Sequence, residues 1–548
     1  MTTVATASVH EPDRYHPPAL TGLVDLLSRP VRARPHSRAL VVGPERNELS
    51  YAGLASLADD LARRLTAAGV RPGDPVGLVA ANTVEFVVSL FGAARAGAVV
   101  APLDPALPPG QLGARLGLFG ARVVLCGPEA PAGVPAAWRV RVRVTPGAPC
   151  EVTLDTTRAA LGLYGTPPPG LALDDALILS TAGTMDQARL VPLTHGNVAA
   201  AVRVLCATYE LGPRDATVAV MPFFHTHGLV AALLATLAGG GCVLLPAGGR
   251  FSADTFWDDM RAVGATWFTA VPAIHEILLD RSAGEHPAPL APPLRFARSS
   301  SAPLNTATQR ALERTLGVPL LSAYGMTEAA HQASSEPLPP PGTSKHSSVG
   351  RPTGTRIQVV DPSGQACPPG VQGEVWVRGP SVARGYLADP AATVRGFGEG
   401  WLRTGDLGHL DGDGALFLTG RLRNLITRAG DQVSPEYVED VLCGCPAVAE
   451  AAVFGVPDER HGHRVGAAVV LREGEDAEPA EIVRYCLGRL APFEVPERIQ
   501  VVPALPRTAK GALDRQARPQ RFAPGPPGRA RRAAPGPGGT GWGTVSRP

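Results

Sequence analysis

The feature that most constrains this chain is an alternation of helical and β-branched segments running from about Ala19 to about Gly350. "SYAGLASLADDLARRLTAAGV" places apolar residues at helical spacing and stops at Gly69. "RPGDPVGLVAA" then supplies a turn and a strand, "TVEFVVSLFGAARAG" a second helix and "AVVAPLDP" another strand. The succession returns through "ATVAVMP", "CVLLPAG", "ATWFTAVP" and "PLLSAYG". Helix and strand in turn predict parallel sheets covered by helices, an α/β fold. The longest apolar runs, such as "FVVSLFGAARAGAVVAPL", contain Arg95 and several glycines, and so read as a buried helix and strand with no membrane span.

Beyond Gly350 the texture changes. "GTRIQVVDPSGQACPPGVQGEVWVRGP" and "GALFLTGR" are short strands split by Gly and Pro turns, as in a small antiparallel or barrel-like unit. After "GRLRNLI" a compact α+β segment follows, with "SPEYVEDVLCGCP" and "PAEIVRYCLGRLAPFEVP" helical and "VAEAAVFGVPD" and "GAAVVLR" extended. A chain of 548 residues is too long for one core. The expected organisation is a disordered N-terminus over 1–18, a large domain over 19–420, a hinge at 421–424, a small lid domain over 425–517, and a disordered Pro/Gly/Arg-rich tail over 518–548.

Composition narrows the class. Hydrophobic residues at 45% and charged residues at 18% describe a soluble globular protein. The formal charge of +2, with Arg521, Arg529, Arg531, Arg532 and Arg547 in an acid-free tail, gives no nucleic-acid footprint. The first twenty residues hold no apolar signal segment, and the eight cysteines lack metal spacing. A reduced, cytoplasmic protein is the expectation.

Four stretches carry chemistry. "LILSTAGTMDQARLVPLTHGN" runs a strand into a loop of small and hydroxyl residues, the kind that cradles phosphate oxygens, although an ordinary strand–helix turn reads the same way. "SAYGMTEAAH" follows a strand end, where α/β sheets place ligands. There Tyr324 can stack on a base, Thr327 bind phosphate and Glu328 hold Mg²⁺; an N-capped helix with an acidic first turn is the competing reading. "WLRTGDLGHLDGDG" offers an Asp in a tight turn, and "GRLRNLITRAGDQVSP" an Arg before a domain boundary, both able to hold ribose hydroxyls.

In this order the four stretches resemble the adenylate-forming superfamily of acyl- and aryl-CoA synthetases, nonribosomal adenylation domains and luciferases. The resemblance covers about residues 20–516. "MPFFHTHGLVAALLATL", "FTAVPAIHEILLDR", "LRFARSSSAPL", "AYGMTEAAHQASSEPLP" and "FGVPDERHG" are most similar to the oxalate–CoA ligase branch. The resemblance implies a large N-terminal domain of two helix-covered βαβ-type sheets plus a small β-barrel, and a small mobile α+β domain pivoting near Arg423. It also implies ATP and Mg²⁺ as cofactors, with coenzyme A a possible acceptor.

Carried over position by position, Thr181, Gly183, Thr184 and Arg189 belong to the phosphate loop. Ser300, Ser301, Ala302, Tyr324 and Gly325 flank adenine. Thr327 meets the α-phosphate, Glu328 the Mg²⁺, and Asp406 and Arg421 the ribose. His225, His227, Ser301 and His331 surround the acyl group, and imidazoles with hydroxyls suit a small polar anion better than an alkyl chain.

The chain departs from the family pattern at three places. The phosphate loop reads "TAGTMDQARL": Asp186 stands where glycine is usual, and Arg189 keeps the positive charge of the usual lysine on a planar fork. Ala429 replaces the first glycine of a pair that faces the pantetheine passage in CoA-using relatives. In "PRTAKGALDR", Ala512 occupies the lysine position and Lys510 lies two residues earlier, on the same side of an extended segment and roughly 6–7 Å away. Losing that lysine's contact would cost about 3–4 kcal/mol, by analogy with the loss of an oxyanion-hole donor.

The leading expectation is an AMP-forming ligase that adenylates a small anionic carboxylate and passes it to a nucleophile such as coenzyme A, with Thr327, Glu328, Lys510 and His225 at the reacting centre. A second reading is a biosynthetic relative that adenylates nitrite for attack by an aryl amine. A third is an impaired homologue that binds nucleotide without turnover.

Overall fold

The computed structural model describes residues 21–134, 137–156, 165–181, 189–282, 293–338, 345–429, 431–458, 462–472 and 474–506. The chain divides into two compact units with the boundary between Arg423 and Asn424. The expected disordered ends, 1–18 and 518–548, lie outside the described residues.

The alternation produces a seven-stranded sheet in the larger unit. Its order is Glu151–Asp155, Ala137–Arg143, Val123–Cys126, Pro75–Val79, Val99–Leu103, Asp175–Ser180 and Leu190–Thr194. The five inner strands pair in parallel, and the two edge strands are antiparallel. Helix Val84–Arg95 is buried from Glu85 to Ala94, as its nearly all-apolar sequence requires. Helix His195–Thr208 begins with a capping box, in which Thr194 accepts from Asn197 N at 3.0 Å. Caps of this kind contribute about 1 kcal/mol. The Asn197 side chain also donates to the carbonyls of Pro380 and Val382, tying the segment that follows residue 379 to this helix.

The second expected sheet is in two sections. One orders Ala216–Val218, Cys242–Leu244, Arg38–Val42 and Asn47–Ser50. The other orders Trp267–Ala270, Phe296–Ser299, Leu320–Tyr324, Ser334–Ser335 and Arg351–Pro352. They meet where Thr266 N donates to Ala216 O at 2.9 Å. Strand Phe296–Ser299 lies between two parallel neighbours, which buries all of its residues.

The place of the small barrel is taken by an antiparallel sheet, Arg356–Val360, Gly373–Arg378, Trp401–Leu410 and Phe397–Gly398, with Leu416–Arg421 also on Trp401–Leu410. Here the tight-turn reading of Asp406 is corrected. The residue lies inside the long strand Trp401–Leu410, beside Gly405 at φ +70° and between irregularities in register with both neighbouring strands. The smaller unit orders Asp431–Val433, Ile426–Arg428, Gly462–Leu471 and Val448–Asp458, with Arg498–Val501 parallel to Gly462–Leu471. Its last helix, Pro479–Cys486, is shorter than the sequence pattern suggests: Leu487 turns extended (ψ 130°) and Gly488 takes φ +80°. No helix among the described residues is long and apolar enough to cross a membrane.

Candidate active site

A buried cluster at the C-terminal end of strand Phe296–Ser299 organises the larger unit's site. Arg298 is fully buried (0% exposed), and among the described residues it is the only lysine or arginine that is. Its Nε donates to Tyr209 OH at 2.7 Å, Nη1 to Thr269 Oγ1 at 3.1 Å, and Nη2 to both His331 Nε2 and Gln332 Oε1 at 3.0 Å. No carboxylate among the described residues pairs with it. A guanidinium only donates, so the His331 Nε2 that it meets must accept, and that ring carries its proton on Nδ1.

The same logic runs through His227, the first residue of a π-helical turn over His227–Leu234. Such turns gather at functional sites. Thr269 Oγ1 accepts from Arg298 and lies 2.7 Å from His227 Nε2, so its hydroxyl donates there. His227 Nδ1–H is then left to donate to Ser301 Oγ at 3.1 Å. The His227 and His331 rings stack at 4.9 Å. Burial first, then His331 and Arg298, holds the His227 imidazole well below its usual range; burial and then Arg298 do the same to His331. Two neutral rings thus turn N–H edges away from one buried cation. His225, half-buried, packs at 4.7 Å from Phe224. Ser301 (φ +74°) and His331 (φ +102°) both hold conformations that L-residues avoid, costing about 1–3 kcal/mol each.

Beside this cluster, Gly325 lets the turn close. A side chain there would meet the His331 carbonyl at 1.4 Å. Tyr324 is buried and donates to Asp406 Oδ2 at 2.6 Å, and Asp406 Oδ1 pairs with Arg421 at 2.8 Å. Burial, then the Asp406 carboxylate, raises the Tyr324 phenol well above its usual range. Ser300 is buried and donates to Ala323 O at 3.0 Å, while Ser301 and Ala302 are exposed. Thr327 and Glu328 open a short 3-10 turn, Thr327–Ala329, so the longer N-capped helix does not form. Glu328 Oε1 accepts from Tyr386 OH at 2.8 Å.

At the mouth of the loop expected to hold phosphate, Thr181 and Arg189 are tied by Thr181 N to Arg189 O and Arg189 N to Thr181 Oγ1, both 3.0 Å. Gly183, Thr184 and Asp186 lie outside the described residues. So do Lys510 and Ala512. Arg423 is exposed at the end of the larger unit. In the smaller unit Ala429 has φ +52°, which explains why glycine is usual there.

The larger unit therefore gathers Tyr324, Asp406, Arg421, Ser300, Ser301, His227, His331 and Glu328 through direct contacts or neighbouring residues. It also adds Arg298, Thr269, Gln332, Tyr209 and Tyr386, which pattern reading passed over. One signal was available: an arginine inside "FARS", the short segment that folds as a strand buried along its whole length. The residues suit a nucleotide and its metal. Among the described residues no group of three His, Cys, Asp or Glu could hold a metal alone. A single carboxylate such as Glu328 fits Mg²⁺, which keeps several waters and is bound through one or two carboxylates together with substrate phosphates.

Comparison with known proteins agrees. Residues 27–387 match the AMP-binding enzyme family and residues 437–512 the AMP-binding enzyme C-terminal domain. An oxalate–CoA ligase of Arabidopsis thaliana is 41% identical over 508 residues, 91% of this chain and 98% of that protein. A sulfoacetate–CoA ligase of Cupriavidus necator is 34% identical, covering 92% of this chain and 98% of that protein. ATP-bound MatB from Rhodopseudomonas palustris superposes with TM-score 0.76 at 29% identity, over 90% of this chain and 97% of that one. The chain belongs to the AMP-binding, adenylate-forming enzyme family, ATP-dependent ligases that activate carboxylates as acyl-adenylates.

Proposed function

We propose that this enzyme joins a two-carbon dianion, with oxalate the leading candidate, to coenzyme A through an acyl-adenylate. The observation that carries this reading is Arg298, a fully buried cation without an acidic partner among the described residues. An unpaired buried charge is costly, on the order of several kcal/mol, and an incoming anion offsets that cost. The relatives' names point the same way: oxalate and sulfoacetate each carry a second anionic group beside the carboxylate.

In this reading the far anionic group of the substrate rests against Ser301 and the N–H edges of His227 and His331, whose polarity Arg298 sustains from behind. His225 lines the approach. Tyr324, Ser300, Ala302 and Gly325 flank adenine, Asp406 and Arg421 take the ribose hydroxyls, and Thr327 meets the α-phosphate. Glu328 holds Mg²⁺, which when bound neutralises phosphate charge. Thr181, Gly183, Thr184 and Arg189 grip the pyrophosphate end. The substrate carboxylate attacks the α-phosphorus and pyrophosphate leaves; the coenzyme A thiolate then attacks the acyl carbon and AMP leaves. Lys510 stands in for the lysine missing at Ala512, and residues 421–424, with Arg423 as pivot, serve as the hinge. Eight unpaired cysteines support a reducing, cytoplasmic setting.

The test is AMP release from ATP with oxalate, sulfoacetate, malonate, acetate or nitrite, each with and without coenzyme A. AMP formation that needs both a dianion and coenzyme A is expected. Equal efficiency with acetate, or AMP formation from nitrite and an aryl amine that ignores coenzyme A, would sink the proposal. The nitrite and non-catalytic readings draw no support from the matched relatives.

A further inference from the structure

One side chain links the carboxylate and the phosphate-loop cation of the site. Tyr386 is half-buried on the segment that Asn197 ties down. Its hydroxyl donates to Glu328 Oε1 at 2.8 Å, and the Arg189 guanidinium lies 5.0 Å over its ring. The Tyr386 ring is itself held, edge to face, by Phe397 at 5.3 Å. Its backbone N donates to Thr393 Oγ1 at 2.9 Å, and the next residue, Leu387, bonds to Leu190 O at 2.9 Å. Ala383 N donates to the Glu328 carbonyl at 2.8 Å, so both ends of the contact are fixed to the same short segment.

We propose that Tyr386 is a positioning residue for nucleotide binding, one that orients Glu328 toward the metal and gives Arg189 a platform beside the phosphates. The inference rests on the proposed roles of Glu328 and Arg189. Physically, a phenol bound to Oε1 fixes the carboxylate's rotation and directs Oε2 to a cation. The planar guanidinium at position 189 stacks on an aromatic face in a way that the family's usual lysine does less well. Asp389, 4.0 Å from Arg189 Nε, holds the other side of that cation, so Arg189 is preset between a ring and an acid. Arrival of a phosphate exchanges the distant acid for a nearer anion while the ring contact persists.

The test uses the full chain and no carboxylate substrate, so that it does not depend on which acid is activated. Binding of ATP is measured by titration calorimetry with Mg²⁺ and, separately, with EDTA. Tyr386→Phe keeps the ring and loses the hydroxyl. It is expected to weaken MgATP about tenfold, the size of a hydrogen bond to a charged group, and to leave metal-free ATP within about twofold. Tyr386→Leu removes the ring too, and is expected to weaken metal-free ATP a further two- to fivefold, the range for an exposed cation–π contact. That extra loss should vanish in an Arg189→Gln background. Equal weakening of both forms by Tyr386→Phe, or none, overturns the inference even if Tyr386→Leu does not fold. A wild-type chain that binds no MgATP overturns the functional reading as well, whereas normal MgATP binding with an inert Tyr386→Phe overturns this inference alone.

Discussion

Replacing Arg298 with methionine separates the cost of the buried cation from its use. In the wild type the guanidinium bonds Tyr209, Thr269, His331 and Gln332 at 2.7–3.1 Å. Methionine is similar in length and removes the charge. Two effects on the free protein oppose each other. His331 Nε2 loses its donor, at about 1–3 kcal/mol, and the desolvation of an unpaired charge, several kcal/mol, is relieved. Tyr209 OH keeps Gln332 and Ser335 as partners at 2.9 and 2.7 Å. Arg298→Met is therefore expected to melt at or above the wild-type temperature. With a dianion bound the balance reverses, because the anion loses the buried cation that faces it across His227 and His331, at up to about 3–5 kcal/mol, the cost of removing one member of a buried charge pair. That is roughly two to three and a half decades in kcat/KM for oxalate. Acetate, with no second charge, should change less than about tenfold on the same reasoning. Steady-state AMP release with both acids, and melting with and without oxalate, are the assays. A variant that loses oxalate and acetate activity equally, or melts well below wild type, refutes the reasoning and makes Arg298 a structural residue.

Acid should destabilise the larger unit. Burial holds His227, His331 and His275 (about 4) below the unfolded imidazole value of 6.5, so the unfolded chain binds more protons as pH falls through 6.5. Stability is full above that pH and falls below it by up to about 4 kcal/mol per unit while all three contribute; urea melts at pH 7.5, 6 and 5 that coincide would refute this. Ala429→Gly relieves the left-handed backbone, at a cost in unfolded-chain entropy, and is expected to stabilise the smaller unit by about 0.5–1 kcal/mol and to lower KM for coenzyme A. No gain in a chemical melt would count against strain there. Lys510→Ala should slow pyrophosphate exchange by about two to three decades while sparing thioester formation from supplied acyl-adenylate; an unchanged exchange rate makes Lys510 a bystander.

The larger features were legible in sequence because they rest on periodicity. Alternating helix and strand gave the parallel sheets, and strand Val448–Asp458 falls on the quoted segment. Candidate site residues with a fixed place relative to a glycine turn, Tyr324 to Glu328, are nominated by resemblance. What stayed hidden depends on contacts between segments distant in sequence. Arg298 meets Tyr209, Thr269 and His331 only once the end of helix His195–Thr208, strand Trp267–Ala270 and the loop after Thr327–Ala329 are packed around its own strand. Tyr386 reaches Glu328 across 58 positions. Gly-Asp is common in turns, which is what the dipeptide before Leu407 suggests, whereas a bulged strand satisfies the same backbone preference at Asp406.

Adenylation of a dianion at a site charged by Arg298 is the step on which the proposed function turns. Isotope exchange between pyrophosphate and ATP, run without coenzyme A, tests that half-reaction alone. Exchange driven by oxalate, at least about a hundredfold more efficient than with acetate and lost in Arg298→Met, is the predicted result. Exchange driven equally by acetate, or no exchange with any dianion, would contradict it.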